Sequence, residues 1–400
     1  NMKQTKLSIY LIFWAALSAG SCSNEDAPYN PNDDPDAVEL GVTAGVTLTK
    51  SAINGSDETA FDKIAVFASG NDYKEGNNYA IYTKSDGSWK NDATTPKIYL
   101  THETATIYAV YPAYDPSKTA NTKWTVTNLS SDSPTVPISV FAGNSSADDN
   151  NKYPTGINNA DKTFNTDWSG DNADKDKIIS APGEIDFMWA EDNDNKTHAA
   201  TASNGKKSGS TPPDASVSLN MRHGLAMVSF RIYNDGTYYG TGSLTGIKLS
   251  NVSSSDVALS KGTNPTMNIG NGTIIPNAPV DITYNRFIDG GYTLIKKGTP
   301  ASATVATTEA DAKNASKKFS FLVLPDPVAT DGIDKNKVQV AFTIDGTDYI
   351  VKLAGSTDKS KWSAGNNYQY TAKLSGQELT ITSVTVQEWG NGGNKELEVK

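Results

Sequence analysis

From residue 38 to residue 49, apolar and polar side chains alternate without a break. Val38, Leu40, Val42, Ala44, Val46 and Leu48 occupy six successive even positions, with Glu39, Gly41, Thr43, Gly45, Thr47 and Thr49 between them. A two-residue period held this long predicts a strand with one face in a core and the other in solvent. At about 3.3 Å per residue the ribbon reaches about 40 Å, long for a globular strand. It ends at Lys50-Ser51, just ahead of the turn-prone Asn54-Gly55-Ser56-Asp57.

Almost no segment keeps a helical period over three turns, and strand patterns recur to the end of the chain. Residues 61–68 predict a strand buried on both faces, and shorter strands fit 79–83, 97–100 and 106–111. Residues 144–180 are rich in Asp, Asn, Ser and Gly, which predicts a long surface loop. Residues 199–214, with Pro212-Pro213, have the composition of an interdomain linker. Strands restart at Val217, Leu219 and Met221, continue through 225–232, and return at Phe319, Phe321 and Val323. Val338, Val340, Phe342 and Ile344 run to Asp345-Gly346, and Tyr349, Val351 and Leu353 run back, which predicts a hairpin. Tyr368, Tyr370, Ala372 and Leu374 alternate once more, followed by 379–389, a glycine-rich hinge at 390–393, and 396–399. Many short strands between turn signals predict an all-β chain of two tandem sandwiches, 38–212 and 213–400. Four hundred residues suffice for a core in each.

The charge balance narrows the partners. Forty-five acidic residues against 35 basic ones give a net charge of -10, and a nucleic-acid binder needs a basic face. No nucleic-acid partner is expected. The single cysteine, Cys22, excludes an intrachain disulfide and a Cys-based zinc site. Before it stand Lys3 and Lys6, an apolar run over 7–17, and the small residues Ser18, Ala19, Gly20 and Ser21. The run is about half of the ~20 residues a membrane-spanning helix requires. A basic start, a short apolar stretch and a small-residue cleavage zone predict a secretory signal over 1–21. With Cys22 as first mature residue, the arrangement resembles a bacterial lipoprotein signal, which implies lipidation of Cys22. Ala19, three residues before the cysteine, departs from the Leu that such signals prefer. Residues 22–37, with Glu25, Asp26, Asp33, Asp34 and Asp36, form an acidic tether.

Catalytic signatures are missing. The chain holds no GxSxG elbow, no P-loop, no GxGxxG after a strand and no HExxH. His102, His198 and His223 are scattered, and none has a partner at metal-binding spacing. Two acidic loops, Asp167 to Asp176 and Glu191 to Asp194, lack the spacing that wraps oxygens around calcium. No metal, no cofactor and no enzymatic activity are expected. Trp89, Trp124, Trp168 and Tyr153 could stack on sugars, but in a β-rich chain they fit core positions or turn plugs better.

Five segments carry a family resemblance. Leu219-Asn220-Met221-Arg222-His223-Gly224-Leu225-Ala226-Met227-Val228-Ser229-Phe230 resembles the strand that opens the second domain of fimbrillins, the type V pilins of Bacteroides-type bacteria. Residues 61–68, Phe319-Ser320-Phe321-Leu322-Val323-Leu324-Pro325, 362–370 and the closing 384–389 resemble the same family in the same order. The resemblance implies two transthyretin-like β-sandwiches, exported as a lipid-anchored precursor to the outer membrane surface. It implies a trypsin-like surface protease that cuts after a basic residue beyond the first strand, here between Lys50 and Ser51. The family's protease often cuts after Arg, so Lys50 is a departure. The removable strand is then 38–50, with Val38, Leu40, Val42, Ala44, Val46 and Leu48 on its apolar side.

Polymerisation by donor-strand exchange follows from the same resemblance. A strand from the next subunit fills the vacated groove, satisfying backbone donors and apolar surface together. The candidate donor is the tail 378–400, with Leu379, Ile381, Val384, Val386 and Trp389. The parity of its apolar residues changes between Ile381 and Val384, which requires a bulge near Thr382-Ser383. The expected role is a stalk or tip subunit of an adhesive fimbrium. Its partners are other pilin subunits, the protease and a host or bacterial surface receptor. The alternative is a surface glycan-binding lipoprotein with exposed aromatics among Trp89, Trp124 and Trp168.

Overall fold

The computed structural model describes residues 34–46, 61–118, 121–144, 178–179, 184–196, 198–206, 213–255, 257–298, 304–325, 337–353, 362–388 and 395–398. The first half contributes β1 (Val38–Glu39), β2 (Gly41–Val46), β3 (Lys63–Ser69), β4 (Tyr79–Ser85), β5 (Ser88–Asn91), β6 (Tyr99–Leu100) and β7 (Ala105–Tyr111). Next come β8 (Thr135–Pro137), β9 (Gly143–Asn144), β10 (Ile178–Ile179), β11 (Met188–Asp192), β12 (Ala200–Ala202) and β13 (Ser216–His223). The second half contributes β14 (Ala226–Asn234), β15 (Ser243–Asn251), β16 (Thr266–Asn268), β17 (Ile274–Ile275), β18 (Tyr284–Thr293), β19 (Lys296–Lys297) and β20 (Val305–Ala306). After α1 (Glu309–Ala315) follow β21 (Lys318–Val323), β22 (Val338–Ile344), β23 (Thr347–Lys352), β24 (Asn366–Ser375), β25 (Glu378–Glu388) and β26 (Lys395–Glu398).

The chain is all-β apart from α1. One sheet runs β2-β13-β11-β7-β3-β4-β5, with β12 beside β7. Its strands turn one set of apolar side chains, among them Val42, Ile64, Val66, Tyr82, Ile107, Met188 and Leu219, toward a shared interior. The sheet curls enough for its two ends, β2 and β5, to touch. β3 is buried on both faces, because Ala65 and Phe67 on its other side enter a different core. The Asp86-Gly87 pair, with φ of 52° and 77°, makes the tight turn from β4 to β5.

A second region is a sandwich of β10-β21-β14-β24-β25-β26 facing β23-β22-β15-β18-β9. Phe230 sits at its centre, 5.5–5.7 Å between ring centroids from Phe321, Phe342 and Tyr370. The hairpin of β22 and β23 turns at Asp345-Gly346, both with positive φ, and the pairs from Gln339↔Lys352 to Ile344↔Thr347 keep register.

The structure moves the domain boundary. β13 belongs to the first sheet, paired with β2 and β11, so the chain crosses between regions at Gly224 rather than at 212/213. A Cβ on Gly224 would stand 2.3 Å from Met267 Sδ, so a larger residue there would have to displace the Met267 side chain. The expected linker at 199–214 is part of the first sheet's framework instead. β12 pairs with β7, and Ser203 donates from its backbone to Asp214 O and from its hydroxyl to Pro213 O. Proline and small polar residues here close a loop, a use that composition does not separate from a linker.

The two regions also interlock. β8, β9 and β10 of the first half pair with β16, β18 and β21 of the second. The expected surface loop at 144–180 is therefore bracketed by strands of the second region, and its residues 145–177 lie outside the described residues. Glu184, fully buried, bonds the guanidinium of Arg286 and accepts from Leu322 N–H at 2.7 Å. Arg286 also donates from Nε to Ser320 O at 3.0 Å and lies 4.2 Å over the Phe321 ring. A third core joins both regions, drawing Phe67, Val110, Trp124 and Phe187 together with Met227, Met267 and Leu322.

Candidate functional site

The alternating ribbon of residues 38–46 lies on the rim of the first region. It does not run as one twelve-residue strand: it breaks at Leu40, and 47–60 lie outside the described residues. The break marks a change of partner. β1 pairs antiparallel with β6, whereas β2 pairs parallel with β13 from Gly41↔Ser216 to Val46↔Met221. Val38, out on the two-stranded flap, is 38% exposed. Leu40 and Val42 are buried, and Ala44 and Val46 are half-buried against the same core.

Among the described residues, only one edge of β2 is bonded to a strand. Backbone groups of a strand alternate sides, so odd residues face β13, as the Gly41 N–H to Ala215 O bond of 2.8 Å shows. Even residues face the opposite edge, and side chains meet them there. The Tyr82 hydroxyl donates to Leu40 O at 2.7 Å, and the Trp89 indole N–H donates to Ala44 O at 2.7 Å. At the entry, Asn204 Nδ2 donates to Asp36 O at 3.1 Å. Leu40 N–H donates to Ile98 O at 2.9 Å, and Glu39 pairs with Lys97 at 2.5 Å. Burial pushes the Tyr82 hydroxyl well above the usual tyrosine range, which keeps it a donor at neutral pH.

The supports of this edge are themselves fixed. Trp89 packs edge-on against Phe61, 5.3 Å between centroids. Asp92, just past β5, accepts from Thr94 N–H and Oγ1, from Lys63 Nζ at 3.1 Å and from Thr83 Oγ1 at 3.2 Å. The Thr94 bonds, with Lys63 behind them, hold the Asp92 carboxyl well below the ordinary range.

The candidate donor tail sits differently. β25 pairs with β24 from Ser375↔Glu378 to Asn366↔Glu388 and with β26 on its other side. Thr371 opposes Ser383 and Ala372 opposes Ile381, so Thr382 is the extra residue that lets Leu379 and Val384 face one core despite opposite parity. Leu379 and Val384 are buried, and Ile381 and Val386 are half-buried on the same core. β25 is thus an inner strand of its own sheet, and within the described tail only β26 lies on an edge. Along 383–386 the strand is bonded on both sides, so donation of Leu379, Ile381, Val384 and Val386 would require the tail to leave its own sandwich first.

Other predicted positions take structural places. Trp124 is buried and donates to Pro112 O at 2.8 Å, and Trp89 is spent on β2, so these two form no stacking platform. His223 Nδ1 lies 2.8 Å from Asp186 Oδ2 inside the protein, and burial holds the Asp186 carboxyl above its ordinary range. Glu191 accepts from Asn220 Nδ2, and Asp192 Oδ1 accepts from the N–H groups of Asp194 and Asn195. Cys22, Leu48, Lys50, Ser51, Tyr153, Trp168 and Trp389 lie outside the described residues. Tyr82 and Asn204 escape a sequence reading altogether, because nothing local marks a side chain that bonds a distant carbonyl.

Residues 49–389 match the model of a family described as fimbrillin-like. Among solved structures, the chain is similar to a proposed cell adhesion protein from Bacteroides uniformis at 18% identity and a TM-score of 0.48, covering 88% of this chain and 99% of that one. A fimbrial protein from Bacteroides vulgatus is 13% identical with a TM-score of 0.46, covering 88% and 99%. A fimbrial assembly protein from Parabacteroides distasonis is 11% identical with a TM-score of 0.36, covering 90% and 98%. No curated protein matches the chain.

Proposed function

The chain belongs to the fimbrillin-like family, and from that premise we propose that it is a structural subunit of an adhesive surface fimbrium, with no catalytic role. It is exported as a lipoprotein precursor anchored through Cys22 and cut between Lys50 and Ser51 by a trypsin-like surface protease. The ribbon 38–50 then leaves, and a strand of the next subunit takes its place. The observation that carries this reading is the position of β2, bonded among the described residues to β13 alone and met on its other edge by side chains. Removing the ribbon breaks its long ladder to β13 and its short one to β6 and empties a groove lined by the core that Leu40 and Val42 fill. Each large apolar side chain seated there contributes ~1.5–3 kcal/mol of gross burial, so an empty groove favours refilling. The outgoing strand comes from the chain end beyond β25, where β26 is outermost.

Limited trypsin treatment of the purified protein tests this. A cut between Lys50 and Ser51, followed by ladders of linked subunits on a gel, is the expected result. A chain cut there that stays monomeric and keeps its 34–50 segment overturns it.

A further inference from the structure

We infer that the vacated groove recognises its strand by main-chain carbonyls, through Tyr82 and Trp89 with Asn204 at the entry, and sets register by a small residue opposite Ser216; this rests on the strand-exchange reading above. The ligand is an extended peptide running parallel to β13, supplied by a second copy of this chain or a similar one. The donors reach Leu40 O and Ala44 O, four residues apart on the open edge, and Asp36 O in the turn that leads into the ribbon. In a strand, positions of one parity send their backbone groups to the same side, so Tyr82 and Trp89 read a geometry that every extended peptide shares. None of these three bonds touches a side chain of the ribbon. The apolar face inside needs only alternate residues of roughly the right size, as cores tolerate such exchange. Strands of different sequence can therefore enter the same groove.

Register needs a separate device, because a slip of two residues would keep the alternation. Gly41 supplies it. A Cβ there would stand 3.0 Å from Ser216 Cβ, tighter than ordinary contact, while a Cβ on Gly45 would meet nothing within 4 Å. Of the two glycines in β2, only the one facing Ser216 is crowded.

The test uses the full chain with a specific protease site placed within 47–60, cut, and incubated with a labelled synthetic peptide of residues 34–46. A second peptide carries Leu40→Ile, Val42→Ile and Thr43→Lys. Tyr82→Phe removes only a hydroxyl, and Trp89→Phe keeps a ring against Phe61. Each is expected to speed peptide release about fivefold, by the same factor for both peptides. Gly41→Val in the peptide weakens binding about tenfold, and Gly45→Val leaves it unchanged. Release rates that ignore both variants, or that change for one peptide only, overturn the carbonyl reading. Equal effects of the two glycine changes overturn the register device. If the cut wild-type chain neither loses its strand nor takes up peptide, strand exchange itself fails. The clasp is then judged on the uncut chain, where both variants must raise amide hydrogen exchange across 41–46 about fivefold, and unchanged rates overturn it.

Discussion

β2 and β25 lie toward opposite ends of the chain and carry the same kind of message, apolar residues at alternate positions facing a core. Their surroundings differ. Among the described residues, β25 is bonded to β24 along its whole length and flanked over 383–386 by β26, whereas β2 has one ladder and a seam of side-chain donors. Periodicity therefore fixes which face of a strand is buried and says nothing about whether the strand can leave. That second property belongs to the edges, and edges are decided by which strands arrive as neighbours.

The sharpest way to break this contrast is deletion. Removing 378–400 takes Leu379 and Val384 out of the central aromatic core, and the second region should lose its cooperative melting transition. Removing 34–46 should leave that transition in place. Calorimetry that shows both regions collapsing in either case ends the distinction. Next in size is the lock between the regions. Glu184→Ala leaves the Arg286 guanidinium buried without its carboxylate and should cost about 3–5 kcal/mol in urea unfolding. A change no larger than that of a surface substitution contradicts the interlock.

A paired truncation is gentler. Leu40 and Leu374 are both buried, and Leu→Ala at either site falls within about 2–5 kcal/mol. Leu374 lies between two sheets that cannot close the gap, so it should fall at the upper end. Leu40 lies at the break between β1 and β2 on the rim, which can shift inward, so it should fall at the lower end. Equal costs mean that β2 is held as firmly as the core. The smallest expected effect is on acid response. The Asp92 carboxyl titrates in the folded protein below its unfolded value of about 3.9, so its contribution is complete above about pH 5 and is lost as the pH falls through the lower folded value. Acidification below about pH 4 should loosen β5 and quicken release of the cut ribbon, and Asp92→Asn should flatten that dependence.

Much of the architecture was legible in the sequence because it rests on short-range rules. The Asp345-Gly346 turn, the two-sided burial of β3 and the bulge at Thr382 each follow from residues adjacent in sequence. The misplaced boundary has a different origin. Val217, Leu219 and Met221 alternate equally well in either sheet, and what assigns β13 to the first is its pairing with β2 and β11, a long-range fact. The same holds for the site. The ribbon announced itself by period, yet the residues that hold its open edge are a tyrosine in β4, a lone tryptophan in a polar hairpin and an asparagine after β12. No spacing connects them.

The crossing at Gly224 has a mechanical corollary. Beside the passage, a core drawn from both regions holds the two halves of one subunit against each other. A filament built from such links would be stiff within each link and would bend where one link plugs into the next. Its flexibility in shear flow would then be set at the joints, by how tightly each borrowed strand is gripped.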